Sequence, residues 1–278
     1  MGRSVNFLIG TTSVVVSLST FSSTTLAGPY VETGIPSNSP LIKGWATGVS
    51  ELVRGRQDYS NPTSPLATFG AASDALGPAS GAVAGEGALS VVSLGDAGSI
   101  TVTFDTPIAN GSGADFAVYE NTFLAGMNAF AELGFVEVSS NGSDFFRFAS
   151  VSLTQTTTQV GSFGTIDPTN VYNLAGKHVS GQGTPFDLNE LVGVSSLLNV
   201  NAVSHVRIID VIGTIGTEAS LDSLGNIIND SYKTPFPTGG FDLDAVAVLN
   251  VAVPEPTGVA MGAMVLAGTL LRRRSATR

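Results

Sequence analysis

The chain has 278 residues, 33 glycines, 13 prolines and no cysteine, with 43% hydrophobic and 12% charged residues. That is enough apolar material for one or two packed domains, and it excludes disulfides and thiolate metal sites. The formal net charge is −10, and five of the twelve basic residues are arginines near the ends (Arg3, Arg272, Arg273, Arg274 and Arg278), so the body is more acidic still. Such a body repels nucleic-acid phosphates and anionic lipid, and it attracts cations.

The first predicted element is a leader. MGRSVNFLIGTTSVVVSLSTFSSTTLA places Arg3 before a short apolar stretch, Phe7 to Leu18, and ends on small residues. Basic, then apolar, then small is the order of a secretory signal peptide over residues 1–27, cleaved between Ala27 and Gly28. Residues 28–88 follow, rich in Pro, Gly, Ser and Ala. They predict an N-terminal extension that is either loosely ordered or wrapped into the domain behind it.

Residues 89–252 have a β rhythm: short runs of Val, Ile, Phe and Thr bounded by Gly, Asn, Asp and Pro. LSVVSL (89–94) and SITVTF (99–104) flank Gly95-Asp96-Ala97-Gly98, which reads as a hairpin turn. DFAVYE (115–120) is a strand. GFVEVSS (134–140) and DFFRFASVSL (144–153) meet across Asn141-Gly142, a pair that tolerates positive φ. AVSHVRIIDVIG (202–213) and FDLDAVAVLNVAV (241–253) are the last two strands. Short helical pieces are expected near 123–132 and 188–198. Many antiparallel strands with turn-rich connections predict an all-β domain, a β-sandwich or jelly roll.

Acidic residues carry the candidate chemistry. Asp242 and Asp244 are two apart, so a regular strand places them on one face, where two like charges need a positive neighbour. Asp210 ends the preceding long strand, and Glu120 and Asn121 end DFAVYEN. Asp, Glu and Asn oxygens are the hard ligands that Ca²⁺ takes, which makes these five a candidate structural calcium site. The competing readings are neutralisation by Arg147 or Arg207, or acids that merely cap turns. Asp222 to Asp230 lacks EF-hand spacing and reads as an Asx-rich turn. Only two histidines exist, and no HExxH, GxSxG or glycine-rich phosphate cradle is present, so no catalytic residues are assigned. A paired-carboxylate glycosidase is the enzymatic alternative. Tyr172 and Tyr232, in expected loops, are candidate platforms for stacking a ligand, against simple packing.

The last element is the tail, residues 253–278. Val253-Pro254-Glu255-Pro256 precedes an uncharged run, Thr257 to Leu271, and then Arg272-Arg273-Arg274. A helix of that run spans roughly 22 Å, short of a hydrocarbon core of about 30 Å. The arginines would stay cytoplasmic. Pro-Glu-Pro, apolar span and terminal arginine cluster together resemble the PEP-CTERM sorting signal. The resemblance implies recognition and processing by an exosortase in the inner membrane, after export through the general secretion machinery, with the short hydrophobic helix as a temporary anchor. Three stretches of the body also resemble galactose-binding-like β-sandwich domains: Val136-Glu137-Val138-Ser139-Ser140-Asn141-Gly142, Val206-Arg207-Ile208-Ile209-Asp210 and Gly240-Phe241-Asp242-Leu243-Asp244-Ala245-Val246. That group often binds carbohydrate or a surface ligand and often holds a structural Ca²⁺. The expected function is that of an exported, non-enzymatic cell-surface or extracellular-matrix protein associated with exopolysaccharide. The alternatives are a carbohydrate-binding module with one sugar site and a glycan-active hydrolase.

Overall fold

A computed structural model describes residues 28–80 and 90–252. The leader with its Ala27–Gly28 cleavage, the Pro254-Glu255-Pro256 motif, the tail helix and the Arg272–Arg274 cluster lie outside the described residues or at their edge. Among the described residues no helix is long and apolar enough to cross a membrane.

The body is nearly all β, and its sheets are antiparallel. One sheet orders its strands Ile35–Pro36, Gln182–Phe186, Phe116–Glu120, Asp242–Val248 and Gly44–Trp45, with Val92–Ser93 pairing beside the Asp242 end. The other orders Phe146–Arg147, Gly134–Ser139, Val203–Asp210, Ser99–Ile108 and Gly48–Val53. The two face each other across one core, the layering of a β-sandwich. Period-2 alternation builds that core: Ile100, Val102 and Phe104 from one strand and Val206 and Ile208 from its neighbour meet Phe116 and Val118 from the opposite sheet. Phe186 stacks on Phe116 at 5.2 Å and packs on Phe148 at 5.1 Å. A second apolar cluster, with Leu133, Phe135, Leu174 and Ile228, lies under the long loops.

Asn141-Gly142 does turn a hairpin: Phe146 pairs with Val138, Arg147 pairs with Glu137, and Gly142 has φ 76°. The Gly95–Gly98 turn does not. Val92–Ser93 pairs with Asp242–Leu243 in one sheet, whereas Ser99–Ile108 belongs to the other. The turn, closed by Gly98 N–H donating to Gly95 O at 2.8 Å, therefore carries the chain between layers. Two apolar runs around a tight turn look identical in sequence whether they pair or part. The expected helix near 123–132 is instead a small hairpin, Leu124–Ala125 on Asn128–Ala129, about Gly126 at φ 68°. Near 188 only a short 3-10 turn forms, Leu188–Leu191, capped by Asp187, which accepts from Asn189 N–H.

Residues 28–80 are built into the sandwich. Ile35–Pro36, Gly44–Trp45 and Gly48–Val53 all pair within the two sheets. Ahead of them the chain forms a strap. Tyr30 stacks on Tyr172 at 5.2 Å, and the buried Lys177 ammonium holds the strap by Tyr30 O and Glu32 Oε1, both at 2.8 Å.

Candidate metal centre

Two adjacent strand ends and one loop converge on a single buried point. Glu120 closes the strand Phe116–Glu120, Asp242 opens Asp242–Val248, and Leu243 pairs with Glu120. Glu132 arrives on the segment just before Gly134. One carboxylate oxygen from each of Glu120, Glu132 and Asp242 lies within 4.8 Å of the other two. The three residues are only 2%, 6% and 7% exposed. Thr122 N–H donates to Glu120 Oε2 at 3.0 Å, and the Thr122 hydroxyl donates to the same oxygen. Glu120 Oε1, Asp242 Oδ1 and the neighbouring Asn121 Nδ2 have no hydrogen-bond partner among the described residues. Buried polar atoms are rarely left so, because each costs on the order of 1–3 kcal/mol.

Burial pushes the Glu120 and Glu132 carboxyls well above the usual carboxylate range, and the Asp242 charge pushes both further. Burial also lifts Asp242, to about 7, against the opposing pull of Arg54. Arg54 is the cation nearest this logic, yet its guanidinium donates to three carbonyls, Phe69 O at 2.8 Å, Gly70 O at 2.5 Å and Ser93 O. A bound cation would favour all three ionised forms at once. The donors are oxygens only, with two unpartnered carboxylate oxygens and an adjacent amide whose oxygen and nitrogen interchange on a flip. Such a set of oxygens suits a hard metal ion.

Glu132 and Asp242 line a cavity of about 140 Å³, and Glu120 lies behind them with an oxygen within 4.8 Å of theirs. Asn121 joins them, and Phe130, Phe163 and Phe236 line the rest together with Ser162, Thr234 and Thr238. Phe123, Phe130, Phe163 and Phe236 form a continuous run of rings, with successive centroids 5.3, 6.0 and 5.9 Å apart.

Of the five residues read from sequence as ligands, the structure brings Glu120 and Asp242 together and sets Asn121 beside them. Asp210 is held as a turn clamp: its carboxylate accepts from Phe241 N–H at 2.6 Å and Ala97 N–H at 3.0 Å. Asp244 accepts from Ser80 N–H at 3.0 and 3.1 Å. The register shifts between Leu243 and Ala245, so Leu243, Val246 and Val248 all enter the core. That bulge breaks the regular alternation on which a shared Asp242–Asp244 face depended. Glu132 escaped the sequence reading although it carried a signal, a lone acid within the apolar run Phe130-Ala131-Glu132-Leu133. Arg147 and Arg207 pair with Glu137 instead of the strand acids. Asp222 accepts from Leu224, Asn226 and Ser152 N–H groups, the Asx turn that was expected. Tyr172 donates to Glu190 at 3.0 Å, and Tyr232 is buried with its hydroxyl on Asp58 at 3.3 Å; neither lines the cavity.

A second set of acids lies behind the first. Burial raises Asp210 and Asp230 well above the ordinary range and Asp96 to about 7; the Asp96 charge adds to the rise at Asp210 and Asp230, and the Asp58 charge to that at Asp96. The unfolded chain ionises these groups near pH 4; the folded chain holds them protonated to higher pH, Asp96 to about 7. The folded state therefore binds more protons in between, and its stability falls as pH rises through that window. In chelator, the melting temperature is expected to be higher at pH 5.5 than at pH 8, read by calorimetry across a pH series. A flat or rising profile would show that these acids are ionised and compensated.

No protein-family model matches the chain, and no curated protein matches it.

Proposed function

We propose that the protein is an exported, non-enzymatic cell-surface or matrix protein, a jelly-roll sandwich stabilised by calcium at Glu120, Glu132 and Asp242. The observation that carries this reading is the buried triad with its unpartnered oxygens. An all-oxygen site of this kind suits an environment where calcium stands near about 1 mM, as outside cells. The basic–apolar–small order of residues 1–27 supports export, and the Pro254-Glu255-Pro256 motif followed by an apolar run and Arg272–Arg274 supports sorting by an exosortase. The inner membrane is then a transient station, and exopolysaccharide is the polymer with which the processed protein associates.

Intact mass from envelope and medium fractions of the native host tests the address. A species that begins at Gly28 and ends near Pro254–Pro256 is expected. A species that retains Arg278 and stays in the inner membrane would make the tail a permanent anchor and end the sorting-signal reading.

A further inference from the structure

A structural ion has no use for phenylalanine walls, yet Glu132 and Asp242 of the triad face a cavity shared with Phe130, Phe163 and Phe236, and Phe163 and Phe236 are 71% and 39% exposed. Exposed rings beside buried carboxylates are the surroundings of an organic cation: the ring faces attract positive charge and the acids neutralise it. The spacing narrows the choice. An alkylammonium has three N–H donors, and three bonds of about 2.8 Å at tetrahedral angles place their acceptors about 4.6 Å apart. Glu120, Glu132 and Asp242 offer one oxygen each within 4.8 Å of one another. Glu120 Oε1 and Asp242 Oδ1 have no partner among the described residues, so two of the three carboxylates keep an oxygen free to receive such donors. The fourth substituent then leaves along the aromatic side of the cavity. At about 140 Å³ that cavity takes an unbranched methylene chain and excludes a bulky head.

We propose that the cavity binds a primary alkylammonium group, its three N–H donors on Glu120, Glu132 and Asp242 and its methylene stem against Phe163 and Phe236. The inference rests on the triad being a cation site, and it adds a regulation: amine and calcium compete for the same three oxygens, so calcium expels the amine. Two sources present this chemistry, a lysine side chain of a partner protein and a free diamine.

The test is titration calorimetry of the full-length protein in chelator at pH 8, with n-butylammonium, Nα-acetyl-lysine methylamide and putrescine as probes. Binding of n-butylammonium is expected, with a tenfold or greater loss for tetramethylammonium, which has no N–H donor. Tighter binding of the lysine amide than of putrescine assigns a protein lysine, and the reverse assigns a free diamine. Glu132→Gln should weaken the amine at least tenfold. Phe163→Ala, at an exposed position where folding is not at stake, should weaken the amine several-fold and leave the calcium response unchanged. Added calcium should raise the apparent amine dissociation constant in proportion to its concentration. Absence of heat with every amine, or equal binding of tetramethylammonium, overturns the proposal. Calcium binding without amine binding removes this inference and leaves the metal centre. Amine binding with no calcium effect removes the metal reading and the competition and leaves the amine site.

Discussion

At calcium concentrations about 100 times its dissociation constant, the protein should melt about 5–8 °C higher than in chelator. Ligand linkage at that excess contributes about 2.7 kcal/mol, and a domain of this size moves its midpoint by roughly 2–3 °C per kcal/mol. The direction follows from the chamber. Without a cation, three buried carboxylates repel one another and are held above their usual range, Asp242 at about 7. At pH 8 an ion relieves both the repulsion and the two orphaned oxygens. Glu132→Gln separates this account from one in which the acids only hold hydrogen bonds. Removing one of three repelling charges should leave the metal-free protein at least as stable as the parent at pH 8 and abolish the calcium response. Asp244→Asn, which disturbs the Ser80 contacts, should cost some stability and keep the response. A parent whose midpoint is the same in chelator and in calcium would remove the metal centre. Calcium binding should also tighten as pH rises from 5 to 8, because protons compete for the same oxygens.

Layer architecture was legible from the chain because a half-buried strand writes itself as period 2. Val206 and Ile208 alternate with His205 and Arg207, and the sheet follows that pattern. Asn141-Gly142 was legible because Gly142 takes a left-handed backbone and the Asn141 side-chain oxygen accepts from Ser143 and Asp144 N–H, turn chemistry that few other pairs supply. What could not be read is what depends on partners far away in sequence. Gly95-Asp96-Ala97-Gly98 carries the same turn chemistry whether the flanking runs pair or separate into two sheets. The acidic triad was half legible for a similar reason. Strand ends announce Glu120 and Asp242, but Glu132 joins them through a loop. Asp244 leaves because a bulge, set by the pairing with Phe116–Glu120, interrupts the alternation after Leu243. Residues 28–53 showed too little alternation to announce strands, since their pieces are short and sit at sheet edges.

Replacing Glu32 with alanine should destabilise the protein by about 3 kcal/mol, because the Lys177 ammonium would remain buried with only the Tyr30 carbonyl opposite it. Lys177 is 2% exposed, so water cannot take the place of the lost carboxylate. Burial alone would raise the Glu32 carboxyl, but the Lys177 ammonium at 2.8 Å and the neighbouring His178 ring outweigh it and hold the group below its ordinary value. A carboxyl lowered in the folded state stabilises above its unfolded value near 4.5 and loses that contribution only as pH falls through the folded value. The Lys177 share of the cost of Glu32→Ala should therefore be the same at pH 5.5 and pH 8, whereas the buried acids near Asp210 make the parent itself pH-dependent over that range. The double replacement Glu32→Leu with Lys177→Met should recover much of the loss, since removing both charges leaves nothing buried and unpaired. Glu32→Ala should also loosen the strap, which would then hold through the Tyr30 ring on Tyr172, the Tyr30 backbone bonds to Thr169 and Lys177, and Gly28 N–H on the Thr169 hydroxyl. Limited proteolysis should then cut before Ile35 at a rate that the double variant restores toward the parent. Unchanged proteolysis and a midpoint within about 1 °C of the parent would mean that the ion pair is solvated in solution. The strap would in that case be held by strand pairing at Ile35–Pro36 and by the tyrosine stack, and the buried lysine would need a different counter-charge.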